Sequence, residues 1–107
     1  MSPWTIAYAD EARDDITAII DYIAEDSIIN AERVSERLEA RIISLRRFPE
    51  RGRSVPELQW FGITDIHEVF EKPWRIIYEF SDGVVRVLAV YDGRRRLDDV
   101  LVERFTR

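Results

Sequence analysis

Trp74-Arg75-Ile76-Ile77-Tyr78-Glu79-Phe80-Ser81-Asp82-Gly83-Val84-Val85-Arg86-Val87-Leu88-Ala89-Val90-Tyr91 decides the fold class. Two runs rich in β-branched and aromatic residues flank Asp82-Gly83, a dipeptide that tolerates the positive φ angles of a tight hairpin turn. Alternation sorts each run by face. Trp74, Ile76, Tyr78 and Phe80 share one side of the first strand, Trp74–Phe80, with Arg75, Ile77 and Glu79 on the other. In the second, Val84–Tyr91, the residues Val85, Val87, Ala89 and Tyr91 oppose Val84, Arg86, Leu88 and Val90. Both faces are partly apolar. One is expected to carry helices and the other to form a shallow concave surface. Upstream, Asp65–Phe70 reads as a third strand, which makes a meander.

The helices come earlier in the chain. Ala12, Ile16, Ile19, Ile20 and Ile23 fall at helical spacing, with Asp10 as the expected N-cap, so a first helix is expected over about 11–26. Val34, Leu38, Ile42 and Leu45 form the stripe of a second, capped by Ser27 or Asn30 and stopped at Phe48 by Pro49. So short a connection folds the pair into an antiparallel hairpin. Thr5–Tyr8 has β character, Arg51–Leu58 reads as an irregular loop, and Leu97, Val100, Leu101 and Phe105 suit a short last helix or docked tail. The expected architecture is a single α+β domain over 1–107: an N-terminal strand, then an antiparallel helix hairpin packed on a mostly antiparallel sheet that ends in a three-stranded meander.

Composition narrows the chemistry. The 107 residues contain no cysteine and one histidine, which excludes disulfides, thiolate metal sites and thiol nucleophiles. His67, Asp65 and Glu68 make a poor metal site, because strand neighbours point to opposite faces. There is no nucleophile elbow and no glycine-rich phosphate loop. No signal peptide or membrane span is expected, which suits a cytoplasmic protein without cofactor or metal. The net charge is −5, with the arginines gathered as Arg46, Arg47, Arg51 and Arg53 and as Arg94, Arg95 and Arg96. An acidic chain with local arginine clusters suits a protein partner, or a narrow contact with nucleic acid, and no direct DNA binding is expected of the chain alone. Arg75, Arg94, Arg95 and Arg96 are the candidate contacts, with Leu97 opening the tail beside them. A planar guanidinium fork suits carboxylate or phosphate, although Arg75 can instead brace the sheet against Glu68 or Glu79.

Three segments carry a family resemblance. Phe48-Pro49-Glu50-Arg51-Gly52-Arg53-Ser54-Val55-Pro56-Glu57-Leu58, Trp74-Arg75-Ile76-Ile77-Tyr78 and Val87-Leu88-Ala89-Val90-Tyr91-Asp92-Gly93-Arg94-Arg95 occur in the order and spacing of the RelE/ParE superfamily of type II toxins, which the chain resembles over nearly its whole length. The RelE-like branch is a metal-independent endoribonuclease that cuts mRNA on the ribosome. Arg75 and Arg95 stand at that branch's two arginines, but Ile66 and Glu68 stand at its lysines and Leu101 at its tyrosine. The ParE-like branch inhibits DNA gyrase by binding, as an inhibitor and not an enzyme. Its modules are known for plasmid stabilization, and a ParD-like, DNA-binding antitoxin neutralises it through a disordered C-terminal segment. Here His67 replaces an arginine usual before Glu68, and Asp92 a histidine usual before Gly93. The resemblance implies a ParE-like gyrase inhibitor; the alternatives are a RelE-like nuclease and a non-toxic remnant that only binds its antitoxin.

Overall fold

A computed structural model describes residues 2–100. The elements run β1 (Thr5–Tyr8), α1 (Asp10–Asp26), α2 (Ile28–Ser44), a single 3-10 turn at Pro49–Arg51, β2 (Arg53–Ser54), α3 (Pro56–Gln59), β3 (His67–Glu71), β4 (Trp74–Ser81) and β5 (Val84–Asp92). The sheet order is β1-β5-β4-β3-β2, parallel between β1 and β5 and antiparallel elsewhere.

The expected hairpin is present. Ser81 pairs with Val84 across a two-residue turn, with Asp82 at φ 50° and Gly83 at φ 79°. Two successive positive φ angles match the right-handed strand twist, and that conformation is why Asp-Gly occupies the turn. Ser27 alone separates the helices; its hydroxyl accepts the Asn30 N–H at 3.1 Å, so Ser27 is the cap and Asn30 its donor. At the first helix the cap position falls on Ala9, without a side-chain bond, and Asp10 lies inside the first turn. Its charge there still favours the helix dipole.

The main core lies between the helix pair and the sheet. Ala12, Val34, Leu38, Ile42 and Leu45 meet Val69, Ile76, Tyr78, Val85, Val87 and Val90. In β4 the alternation holds throughout. In β5 it breaks, because Ile77 pairs with Ala89 while Tyr78 pairs with Val87, which leaves Leu88 as the extra residue of a bulge. A bulge shifts the side-chain phase by one. Val90 therefore joins Val85 and Val87 under the helices, and Ala89 and Tyr91 turn to the opposite face, contrary to simple alternation.

That opposite face is not an open concave surface. Val55, Leu97 and Val100 pack over Ile77 and Tyr91 as a second, smaller core. The chain is helical again from 97 to 100, as a docked tail requires, and the expected contributions of Leu101 and Phe105 lie outside the described residues. The segment expected to be an irregular loop holds β2, a fifth strand, and α3. It is pinned by Tyr78, whose hydroxyl accepts the Gly52 N–H at 3.0 Å and donates to the Pro49 carbonyl.

Gly52 has an ordinary φ of −77° but no room for a side chain. A Cβ there would meet the Tyr78 hydroxyl and come within 2.5 Å of the Glu68 carbonyl oxygen. Gly52→Ala is expected to destabilise by about 2 kcal/mol through this overpacking, read as a lower urea midpoint. A Cβ at Gly62 meets nothing within 4 Å, so Gly62→Ala carries only the strain of its positive φ, about 1 kcal/mol.

Candidate functional site

Two neighbouring regions carry the arginines singled out by sequence. The first is an ionic cluster on the sheet face away from the helices. Arg75 stands opposite Phe70, and Glu68 opposite Ile77, so the two residues are diagonal neighbours across β3 and β4. The Arg75 Nε–H donates to Glu68 Oε1 at 2.6 Å. Its two terminal nitrogens donate to Glu57 Oε2 and Oε1 at 2.8 and 3.0 Å. The guanidinium also lies over the Tyr91 ring, 5.4 Å from its centroid. Across the strand pair, Arg53 Nε donates to the other Glu68 oxygen at 2.8 Å. Glu68 is 1% exposed and Arg75 6%.

Two carboxylates thus balance two guanidiniums. The bond to Glu57 raises the Arg75 pKa against the opposing effect of burial, and the same bond lowers that of Glu57. Sequence reading expected Glu68 or Glu79 as the partner of Arg75. Glu68 holds that role, but Glu57 takes the bidentate position, and Glu79 stands opposite Arg86 in the strand register. Glu57 was not legible as a partner because it reaches Arg75 from α3, an element that a Pro-containing loop hid. Gly93 lets the chain pass this cluster: its N–H donates to the Pro73 carbonyl at 2.7 Å, and a Cβ there would sit 3.1 Å from Arg75 Cγ.

The second region is a groove of about 640 Å³ between α1 and the end of β5, lined by Ile19, Tyr22 and Ile23 on one side and Trp74, Val90 and Arg95 on the other. It exists because β1 is short. The parallel pairing stops at Tyr8 and Val87, and the Ala9 N–H closes it on the Val87 carbonyl. Beyond that point the outer edge of β5 faces α1, and Asp15 Oδ2 accepts the Val90 N–H at 2.9 Å in place of a neighbouring strand.

Arg94 and Arg96 are held locally. Arg94 Nε donates to Asp92 Oδ1 at 2.9 Å, and Arg96 makes two bonds to Asp98 at 3.1 and 3.0 Å. The bond from Arg94 lowers the Asp92 pKa to about 2. Of the three arginines 94–96, Arg94 and Arg95 line the groove; Leu97, next in the chain, is buried in the small core. The structure therefore separates the candidates: Arg75 lies beneath a carboxylate pair, Arg94 and Arg95 at the groove, Arg96 and Leu97 at the start of the tail. Among the described residues no group of three metal-ligating side chains comes together, and no helix is long and apolar enough to cross a membrane.

The sequence profile of a family described as the ParE toxin of the type II toxin–antitoxin system parDE matches residues 6–97. Toxin RelE2 of Caulobacter vibrioides is 34% identical over 82 residues, which cover 76% of this chain and 85% of that protein. Among solved structures, the chromosomal ParDE toxin–antitoxin system from P. aeruginosa superposes with a TM-score of 0.67 at 14% identity, covering 83% of this chain and 95% of its counterpart. The RelBE2 toxin–antitoxin complex from Mycobacterium tuberculosis gives 0.57 at 22% identity, covering 86% and 93%.

Two substitutions test the cluster. Arg75→Ala leaves the Glu68 carboxylate buried with Arg53 alone and is expected to cost about 3 kcal/mol, read by urea denaturation. Tyr91 has a buried hydroxyl with no hydrogen-bond partner among the described residues, and burial raises its pKa from 10.0 to about 12. From pH 10 to 12 the unfolded chain releases a proton that the folded chain retains. Stability therefore falls as pH rises through that window, by up to about 1.4 kcal/mol per unit. Tyr91→Phe is expected to be neutral or stabilising at pH 7 and to flatten this alkaline decline.

Proposed function

The chain belongs to the ParE toxin family of type II toxin–antitoxin modules, within the RelE/ParE superfamily, and on that premise we propose that it acts by binding DNA gyrase and not by cutting RNA. The observation that carries this reading is the state of Arg75. A ribonuclease working without a metal needs cations free to stabilise charge on the scissile phosphate. Here the guanidinium is buried, bonded to two carboxylates and stacked on Tyr91. Glu68 stands where a nuclease of this superfamily would carry a lysine, and its charge is already committed to Arg53 and Arg75. The cluster braces neighbouring strands, and its two guanidiniums are already matched by Glu57 and Glu68. Binding an enzyme and blocking its cycle requires no such cation.

Neutralisation is proposed to fall to a ParD-like antitoxin seated in the groove between α1 and β5. The groove joins an apolar wall to two arginines, the features that receive an amphipathic helix carrying acidic side chains. A disordered segment that folds on binding can use both.

Purified chain added to purified gyrase is expected to stop DNA supercoiling or to accumulate cleaved DNA, with the antitoxin reversing either effect. Unchanged supercoiling together with cleavage of ribosome-bound mRNA would transfer the function to the nuclease branch, which the name of the Caulobacter relative and the position of Arg95 at the groove would then explain. Folded protein with neither effect, still bound by antitoxin, would identify a non-toxic remnant.

A further inference from the structure

The sheet has two edges, and they are closed to different degrees. β2 is two residues long, and Pro56 follows it closely. β1, at the other edge, has neither lysine nor proline nor bulge, the features that stop an edge from pairing further. The N–H groups of Thr5 and Ala9 donate to the Gly83 and Val87 carbonyls, each at 2.9 Å. Alternate residues of a strand bond to the same neighbour. Ile6 and Tyr8 therefore turn their N–H and C=O groups away from β5, and among the described residues nothing else bonds to them. Their side chains lie on the helix side of the sheet. There Tyr8 borders a hollow of about 470 Å³ lined with Ile16, Leu38 and Ile42. Charge is divided along this rim. Just past its C-terminal end stand Asp10 and Glu11, exposed and in no ion pair among the described residues. Arg13, the cation of that turn, lies over the Tyr8 ring, 5.6 Å from its centroid. At the N-terminal end, Arg46 Nε donates to the Trp4 carbonyl at 3.1 Å, which sets a guanidinium beside Trp4, and the exposed Arg47 follows it.

We propose that β1 pairs with β1 of a second copy of this chain, antiparallel about Ala7, so that two sheets join into one. Ile6 of each copy then stands opposite Tyr8 of the other, and each such pair exchanges both of its N–H···O bonds. Backbone groups alone would accept any extended strand; the charges select a second copy. In this register Trp4 of one copy is level with Asp10 of the other. Arg46 and Arg47 thus meet Asp10 and Glu11, and the two-fold axis repeats the match at the opposite end. Parallel pairing of two copies would instead set like charges together. Directly opposite residues share a face, so Ile6 of each copy also comes against the hollow beside Tyr8 of the other. The pairing concerns the toxin alone and requires neither gyrase nor antitoxin.

The test follows the full chain by sedimentation over a dilution series and by amide hydrogen exchange. A particle of twice the 12.7 kDa chain mass is expected, in which the Ile6 and Tyr8 amides exchange slowly, becoming fast on dilution. The amides of Thr5 and Ala9, bonded within the chain, stay protected throughout. Two surface variants then test the charges. R46E/R47E and D10K/E11K each set like charges together at both ends of the pairing, and each alone is expected to weaken the dimer about 100-fold. An equimolar mixture of the two matches opposite charges at both ends and is expected to restore it. A chain that is monomeric across the whole series would overturn the proposal. So would a dimer whose Ile6 and Tyr8 amides stay unprotected, a dimer that both variants leave intact, or a mixture of folded variants that fails to associate. Protection of these amides only on adding antitoxin would also overturn it, giving the edge to an extended antitoxin segment. The exchange measurement needs no substitution, so it decides the matter even where a variant fails to fold.

Discussion

A carboxylate removed from water must be surrounded by donors, and much of the sheet is arranged to meet that demand at Glu68. Its two oxygens are taken by Arg53 from β2 and Arg75 from β4, so the charge on the central residue of three neighbouring strands sets their lateral order. Arg75 in turn needs more than half a carboxylate, and Glu57 supplies the rest from α3. The short helix is therefore held against the sheet by an ion pair as well as by Leu58 and Val55. Burying charges in this way is a poor source of net stability, but removing any one member leaves the others uncompensated. The arrangement thus constrains β2, β3, β4 and α3 together.

The same residues show why a shared position does not by itself fix a shared role. An arginine in the middle of a strand can be aligned with a catalytic arginine elsewhere, and a scaffold that superposes at 14% identity conveys the fold alone. What an arginine can do depends on what already neutralises it. Here the neutralising groups come from Glu57 and Glu68, one distant in sequence and the other on a neighbouring strand. The helix pair, by contrast, is generic to the fold, and its stripe of Val34, Leu38, Ile42 and Leu45 serves the core.

Most of the architecture was legible because local signals agreed. Apolar spacing marked both helices, Asp82-Gly83 marked the hairpin, and the alternation of β4 sorted its faces as observed. Three things were not legible, each for a physical reason. The Leu88 bulge inverts the end of β5, and a bulge in a run of apolar residues leaves no compositional trace. β2 is two residues long, too short for a period to show. The bond from Val90 to Asp15 joins residues far apart in the chain, so Asp15 reads as one more solvated helix carboxylate. Of the candidate site, the arginine positions could be found from sequence, but their neutralisation by Glu57, Asp92 and Asp98 emerged only with the fold.

The parallel pairing of β1 with β5 has a consequence for how the protein comes into being. Thr5 leaves the ribosome well before its partner Val84. Until β5 has emerged, β1 lacks its strand neighbour, and the apolar faces of α1 and α2 lack the Val85, Val87 and Val90 side of their core. Closure of such distant contacts comes late and cannot be completed piecemeal during synthesis. A nascent chain from which β5 has not yet emerged is therefore without the closed core, and the completion of the fold waits on that strand.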